Sequence, residues 1–131
     1  MIGKLNDHLA FGATALRLRA ERQQLLAANI ANADTPGYKA VDFDFAAALR
    51  NATATGQGTA ASAASPRHLP VGNAAGAPTL AFRTPSQAAL DGNSVELDAE
   101  RAQFADNAIR YEASLRFLNG QIKTLMSAIS G

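Results

Sequence analysis

At 131 residues the chain has one domain's worth of length, but its 47% hydrophobic content overstates the core, because only 6% is aromatic and tryptophan is absent. Twelve basic side chains against eleven acidic ones leave a net charge of +1, which gives no pull toward nucleic acid or an anionic membrane surface. Cysteine is absent, so disulfides and thiolate metal sites are excluded.

The first element expected is an amphipathic helix over residues 1–34. Leu9, Ala13, Leu16, Ala20, Gln23, Ala27 and Ile30 form one heptad series, and Phe11, Leu18 and Leu25 form a second stripe on a neighbouring face. Two apolar faces on one helix imply contact with more than one partner. Its opening residues, Met1 to His8, lack the features of a cleaved secretory signal, and no apolar run reaches the length of a membrane span. Composition alone would read as cytoplasmic.

Residues 35–50 follow as a turn and a short helix. Thr35 precedes proline and is pushed out of the helical region, so the first helix must close by about Asp34. Thr35-Pro36-Gly37-Tyr38 reads as a type II turn, with Pro36 at the first central position and Gly37 supplying positive φ at the second. The amides of Asn29 and Asn32 can bond the last helical carbonyls or a neighbouring backbone, locking the direction in which the chain leaves toward Lys39. A short helix is expected over Asp44–Arg50, capped by Asp42 or Asp44.

Residues 51–93 are rich in alanine, glycine, serine, threonine and proline, and cannot bury enough apolar surface to offset their ordering entropy. They read as a flexible or irregular low-complexity linker with a short extended piece at Thr79–Phe82.

The last segment, residues 94–131, is periodic. Phe104, Ala108, Tyr111, Leu115, Leu118, Ile122, Leu125 and Ile129 alternate four and three apart, the seam of a coiled coil. Asp106–Arg110 and Glu112–Arg116 stand acid before base on the outer face. Glu96 and Glu100 would repel within one helix, which sets the start near Asp98. The fold class is therefore mainly α: two long terminal helices paired as an antiparallel coiled coil, joined by the irregular centre. Such a pair alone is marginal, so the missing contacts must come from other chains.

Catalytic and ligand-binding chemistry is not expected. Asp42 and Asp44 read as capping and solvation rather than a catalytic pair, and His8 and His68 have no second ligand at metal spacing. Gly56-Gln57-Gly58 lacks the strand and lysine of a phosphate loop. Arg17, Arg19 and Arg22 read as a solvated helix face beside Glu21. No catalytic residue, metal or cofactor is assigned.

The order Ala28-Asn29-Ile30-Ala31-Asn32 followed by Thr35-Pro36-Gly37-Tyr38-Lys39 resembles the N-terminal signature of the bacterial flagellar rod and hook proteins. Ala40-Val41-Asp42-Phe43-Asp44-Phe45, with Leu90 to Asp98 before the last helix, is similar to the proximal rod subunits of that family. The resemblance spans roughly residues 1–50 and 84–131, with only Pro66, His68 and Leu69 matching between.

It implies a structural subunit that polymerises through its terminal helices and connects the MS ring to the rest of the rod, in the periplasm. It also implies export in an unfolded state through the flagellar type III apparatus, without a cleaved signal. The implied partners are the MS ring, the small rod–ring junction protein, other rod subunits and further copies, with no nucleic acid and no small-molecule substrate. On this reading the Asn29–Lys39 turn fixes the angle of the following segment, and Leu115, Leu118, Ile122 and Leu125 carry the assembly energy. A sister rod subunit of the same family, or a soluble coiled-coil adaptor folded as a discrete oligomer, remain the alternatives.

Overall fold

A computed structural model describes residues 2–56, 78–85 and 90–131. In chain order it contains α1 (Ile2–Ala31), β1 (Val41–Asp42), α2 (Phe45–Gly56), β2 (Ala81–Phe82) and α3 (Leu97–Ser130). The two long helices extend about 45 and 50 Å at 1.5 Å per residue and dominate the shape.

They pair antiparallel. Gly12 meets Leu118, Gln23 meets Asn107, and Asn29 meets Glu100, so the contacts step forward on α1 as they step back on α3. A Cβ on Gly12 would lie 3.2 Å from Leu118 Cδ1, which shows how closely the leucine sits on the α1 backbone. On α3, Phe104, Ala108, Tyr111, Leu115, Leu118 and Leu125 are half-buried along this seam. The outer pairs Asp106–Arg110 and Glu112–Arg116 close at 3.0 and 3.2 Å.

The seam departs from its expected residues at both ends of the pair. Ile122 and Ile129 are exposed, because the far end of α3 is covered on one side only. On α1, Leu9, Leu16, Ala20, Gln23 and Ile30 are half-buried, whereas Ala13 and Ala27 are exposed and Leu26 is completely buried. A 3.6-residue helix drifts about 20° per heptad against a strict seven-residue series, so the contact line slides from that series onto Leu26 and Asn29. The fully buried α3 positions are Glu100 and Asn107, both polar and both outside the predicted series.

The second stripe of α1 is used differently. Leu18 is buried in a small cluster with Phe43 and Ala48, flanked by Leu25, Phe45, Leu49 and Ala52. Thus α2 covers the Leu18–Leu25 part of the stripe and leaves Phe11 half exposed. Asp44 caps α2: its carboxylate accepts from the Ala47 amide at 3.2 Å and its carbonyl from the Ala48 amide at 2.9 Å.

The helix also runs past Arg50 to Gly56, so the linker does not begin at Asn51. Alanine favours helix, and the Thr53 hydroxyl donates back to Leu49 and Arg50 carbonyls at 2.9 and 3.0 Å. Residues 57–77 and 86–89, including Gln57, Gly58, Pro66, His68 and Leu69, lie outside the described residues. Of the extended piece expected at Thr79–Phe82, only Ala81–Phe82 forms β2, antiparallel to β1 with Val41 opposite Phe82.

Among the described residues no helix is long and apolar enough to cross a membrane. Leu118→Asp should cost the isolated chain about 2–3 kcal/mol, from lost apolar burial plus a carboxylate pressed onto the Gly12 backbone. Its thermal unfolding by circular dichroism, compared with the parent, checks this.

Candidate functional site

The two sequence motifs that stand far apart in the chain meet at one end of the helix pair. The Thr35–Tyr38 turn closes as expected: the Tyr38 amide donates to the Thr35 carbonyl at 3.2 Å, and Gly37 has φ +74°. A second left-handed glycine, Gly92 at φ +75°, sits against it, so close that a Cβ on Gly92 would lie 3.7 Å from the Gly37 Cα. The Gly37 amide donates to the Asp91 carbonyl at 2.9 Å, and the Lys39 ammonium donates to the Gly92 carbonyl. Side chains larger than glycine would strain both turns.

Asn93 joins the motifs. Its amide nitrogen lies 3.0, 2.9 and 2.7 Å from the carbonyls of Asn32, Ala33 and Thr35, where the chain leaves α1. Its carbonyl oxygen accepts from the Val95 amide at 2.7 Å, so the same side chain shapes the approach to α3. Asn32 turns back on its own helix and donates to the Ala28 carbonyl at 2.8 Å, while accepting from the Thr35 hydroxyl at 3.1 Å.

Asn29 is completely buried and has every polar atom engaged. Its nitrogen donates to the Val41 carbonyl at 2.9 Å and to Glu100 at 3.2 Å; its oxygen accepts from the Val41 amide and the Tyr38 hydroxyl, each at 3.1 Å. The amide pairs with Val41 as a neighbouring strand would, fixing β1 against the end of α1. Ser94 performs a similar task nearby: its hydroxyl accepts from the Ala40 amide at 2.7 Å and its own amide donates to the Tyr38 carbonyl at 2.9 Å.

An ionic chain completes the arrangement. Arg22 grips Asp42 with two bonds of 3.1 Å and donates to Gln103 at 3.0 Å. Arg83, just beyond β2, bonds both Asp42 and the buried Glu100. Burial by itself would raise the Asp42 carboxyl, but hydrogen bonds from Arg22, the Phe43 amide and Arg83, with the Arg22 charge, more than offset it and hold the group below the usual carboxylate range.

Asp42 and Asp44 are therefore divided between an ion pair and a helix cap. Arg22 and Arg19 are not a solvated face either: Arg22 turns inward to Asp42, and Arg19 stacks on Phe45 at 3.9 Å. Arg17 does remain outside, bound to Glu21 at 2.9 Å. Among the described residues no cluster of three potential metal ligands forms. Sequence reasoning missed Arg83, Asn93, Glu100 and Asn107 as site residues. A charge at Glu100 and an amide at Asn107, interrupting an otherwise apolar face, were the available signals.

A different surface lies at the opposite end of the pair. Phe117, Met126 and Ile129 on α3 are 68%, 64% and 77% exposed, and Phe11 on α1 lines one shallow groove with Phe117, Gly12 and Ala15. Large apolar groups left in water mark an interaction surface, and Phe82 and Leu90 are exposed at the turn end as well.

Residues 9–39 match the family described as flagella basal body rod protein. The chain is 45% identical over 137 residues to the flagellar basal body rod protein FlgB of Salmonella typhimurium, covering 100% of this chain and 99% of that one. It is 48% identical over 135 residues to that of Escherichia coli K12, covering 98% and 97%, and 46% identical over 125 residues to that of Cereibacter sphaeroides, covering 95% of each.

Two outcomes test the site. Asn93→Ala should lose about 1–3 kcal/mol, because the Ala33 carbonyl loses its donor and the tie between the approach to α3 and the end of α1 is cut; urea unfolding of the purified chain measures it. Because Asp42 is held below its unfolded value, its contribution is complete above about pH 4 and is lost as pH falls through the folded-state value. Asp42→Asn should flatten that acid limb in unfolding midpoints measured from pH 6 downward.

Proposed function

The chain belongs to the FlgB family of flagellar basal body rod proteins, and from that premise we propose how it is delivered and how it assembles. It is a structural subunit of the proximal rod, and its location is the basal body of the flagellum. The full-length similarity favours this family over a sister rod subunit or an unrelated adaptor.

The finer reading is a subunit that folds at its polar end and polymerises through its apolar end. The observation that carries it is the group of exposed apolar side chains at the open end of the helix pair: Phe11, Phe117, Ile122, Met126 and Ile129. Burying such a side chain fully is worth roughly 1.5–3 kcal/mol, so a few per subunit suffice for a stable contact. The assembly energy shifts accordingly from Leu115, Leu118 and Leu125, which pack within the chain, to these neighbours. A contact between unlike faces propagates rather than closes, as a tube requires.

Asn29, Asn32 and the Thr35–Lys39 turn serve this by making each subunit the same shape. They hold the chain's exit from α1 at one angle, so that the helix faces offered to neighbours keep a fixed relation. The neighbours in this reading are the MS ring, the rod–ring junction protein, other rod subunits and further copies. The rod stands in the periplasm, and the chain reaches it through the flagellar type III apparatus, unfolded and without a cleaved signal. A chain lacking cysteine suits that route, since no disulfide obstructs threading.

Phe117→Asp separates folding from assembly. The isolated variant should melt within about 0.5 kcal/mol of the parent, as exposed substitutions usually do. Basal bodies purified from a strain carrying it should show membrane rings without rods by electron microscopy, as should a strain lacking the chain. Complete rods with Phe117→Asp would remove the open end from the assembly contact, and complete rods without the chain would remove the rod role.

A further inference from the structure

Arg19 is a partly buried cation that has no counter-charge of its own among the described residues. Its neighbours on α1 and α3 are each matched: Arg17 with Glu21 at 2.9 Å, Arg22 with Asp42 at 3.1 Å, and Arg110 with Asp106 at 3.0 Å. Among the described residues Arg19 has no carboxylate within ion-pair distance, and its Nε is buried with no hydrogen-bond partner. Burial and the charges of Arg110 and Arg22 act against its protonated form, and Asp106, already committed to Arg110, opposes them only in part. The guanidinium remains a cation at neutral pH, so this cost falls on the isolated chain.

What surrounds the group explains why it stays put. Its guanidinium carbon lies 3.9 Å from the Phe45 ring centroid, so one face of the fork is covered by the aromatic ring of α2. The Arg19 carbonyl is tied across the pair by Asn107, whose amide donates to it at 2.9 Å. Backbone and side chain are therefore both held where α1 is flanked by α2 and α3. A planar fork held in place, partly desolvated and unpaired suits a carboxylate arriving from outside.

We propose that Arg19 is a docking point for an acidic side chain of a neighbouring subunit, which neutralises in the assembly a charge left uncompensated within the subunit. The inference rests on the rod reading above. It differs from the apolar contact at the open end, because it lies beside α2 and is electrostatic.

Arg19→Met and Arg19→Lys test it. Methionine keeps an apolar stem over Phe45 and removes both the charge and the buried Nε. The isolated Arg19→Met chain should melt at or above the parent temperature, while the fraction of purified basal bodies carrying a rod should fall by about tenfold or more. Arg19→Lys, which keeps the charge but loses the fork and its stack on Phe45, should recover part of the rods. Normal rods with Arg19→Met would overturn the proposal, as would rod loss accompanied by a matching fall in melting temperature. An Arg19→Lys strain as defective as Arg19→Met would overturn it too. A strain lacking the chain, run alongside, separates these results from failure of the rod reading, which predicts that it forms no rod at all.

Discussion

The buried amide of Asn29 is the contact on which the rest of the architecture depends. It stands in the last turn of α1, where the helix must stop, and bonds both backbone groups of Val41, the hydroxyl of Tyr38 and the carboxylate of Glu100. One side chain thereby joins the end of α1, the start of β1 and the first turn of α3. Each partner is a polar group that would otherwise be costly to bury, so the groups must arrive together or not at all. Asn93 repeats the logic from a distant part of the chain by meeting three carbonyls at the exit from α1.

This arrangement gives the helix pair two dissimilar ends. Near the turn, hydrogen bonds and the Arg22–Asp42–Arg83–Glu100 chain specify a single geometry, because directional bonds tolerate little displacement. At the other end the contacts are apolar and close, with Leu118 against Gly12, and large side chains remain uncovered beside them. Apolar contact is non-directional and can be completed by another molecule. A subunit that is specified at one end and unfinished at the other suits a protein whose role is to be one piece of a larger axial structure.

The same division explains the several faces of α1. One is covered by α3, a second by Phe43 and α2, and Phe11 continues the second beyond the reach of α2. Arg19 lies between these coverings with its charge unmatched. Packing that leaves some positions unsatisfied within the chain is expected where the final environment includes neighbours.

What could be read from the sequence was what neighbouring residues decide among themselves. Thr35-Pro36-Gly37-Tyr38 had to turn because proline and glycine restrict or free their own φ angles. Asp44 capped the next helix, and α3 followed from its four-and-three spacing, because capping and periodicity act within a few residues. The pairing of two long amphipathic helices followed from the lack of other large apolar elements. Other features needed the tertiary structure. The slide of the α1 contact line onto Leu26, and the burial of Glu100 and Asn107, depend on the angle and register at which two rods meet. The meeting of Asn93 with residues 32–35 and of Arg83 with Asp42 and Glu100 joins positions far apart in the chain. The sequence by itself determined the helices, the turn and the absence of a large core, since propensity, sterics and periodicity are local. Only the tertiary structure decided which polar side chains became interior and which apolar ones stayed outside, because burial depends on what the rest of the chain brings alongside.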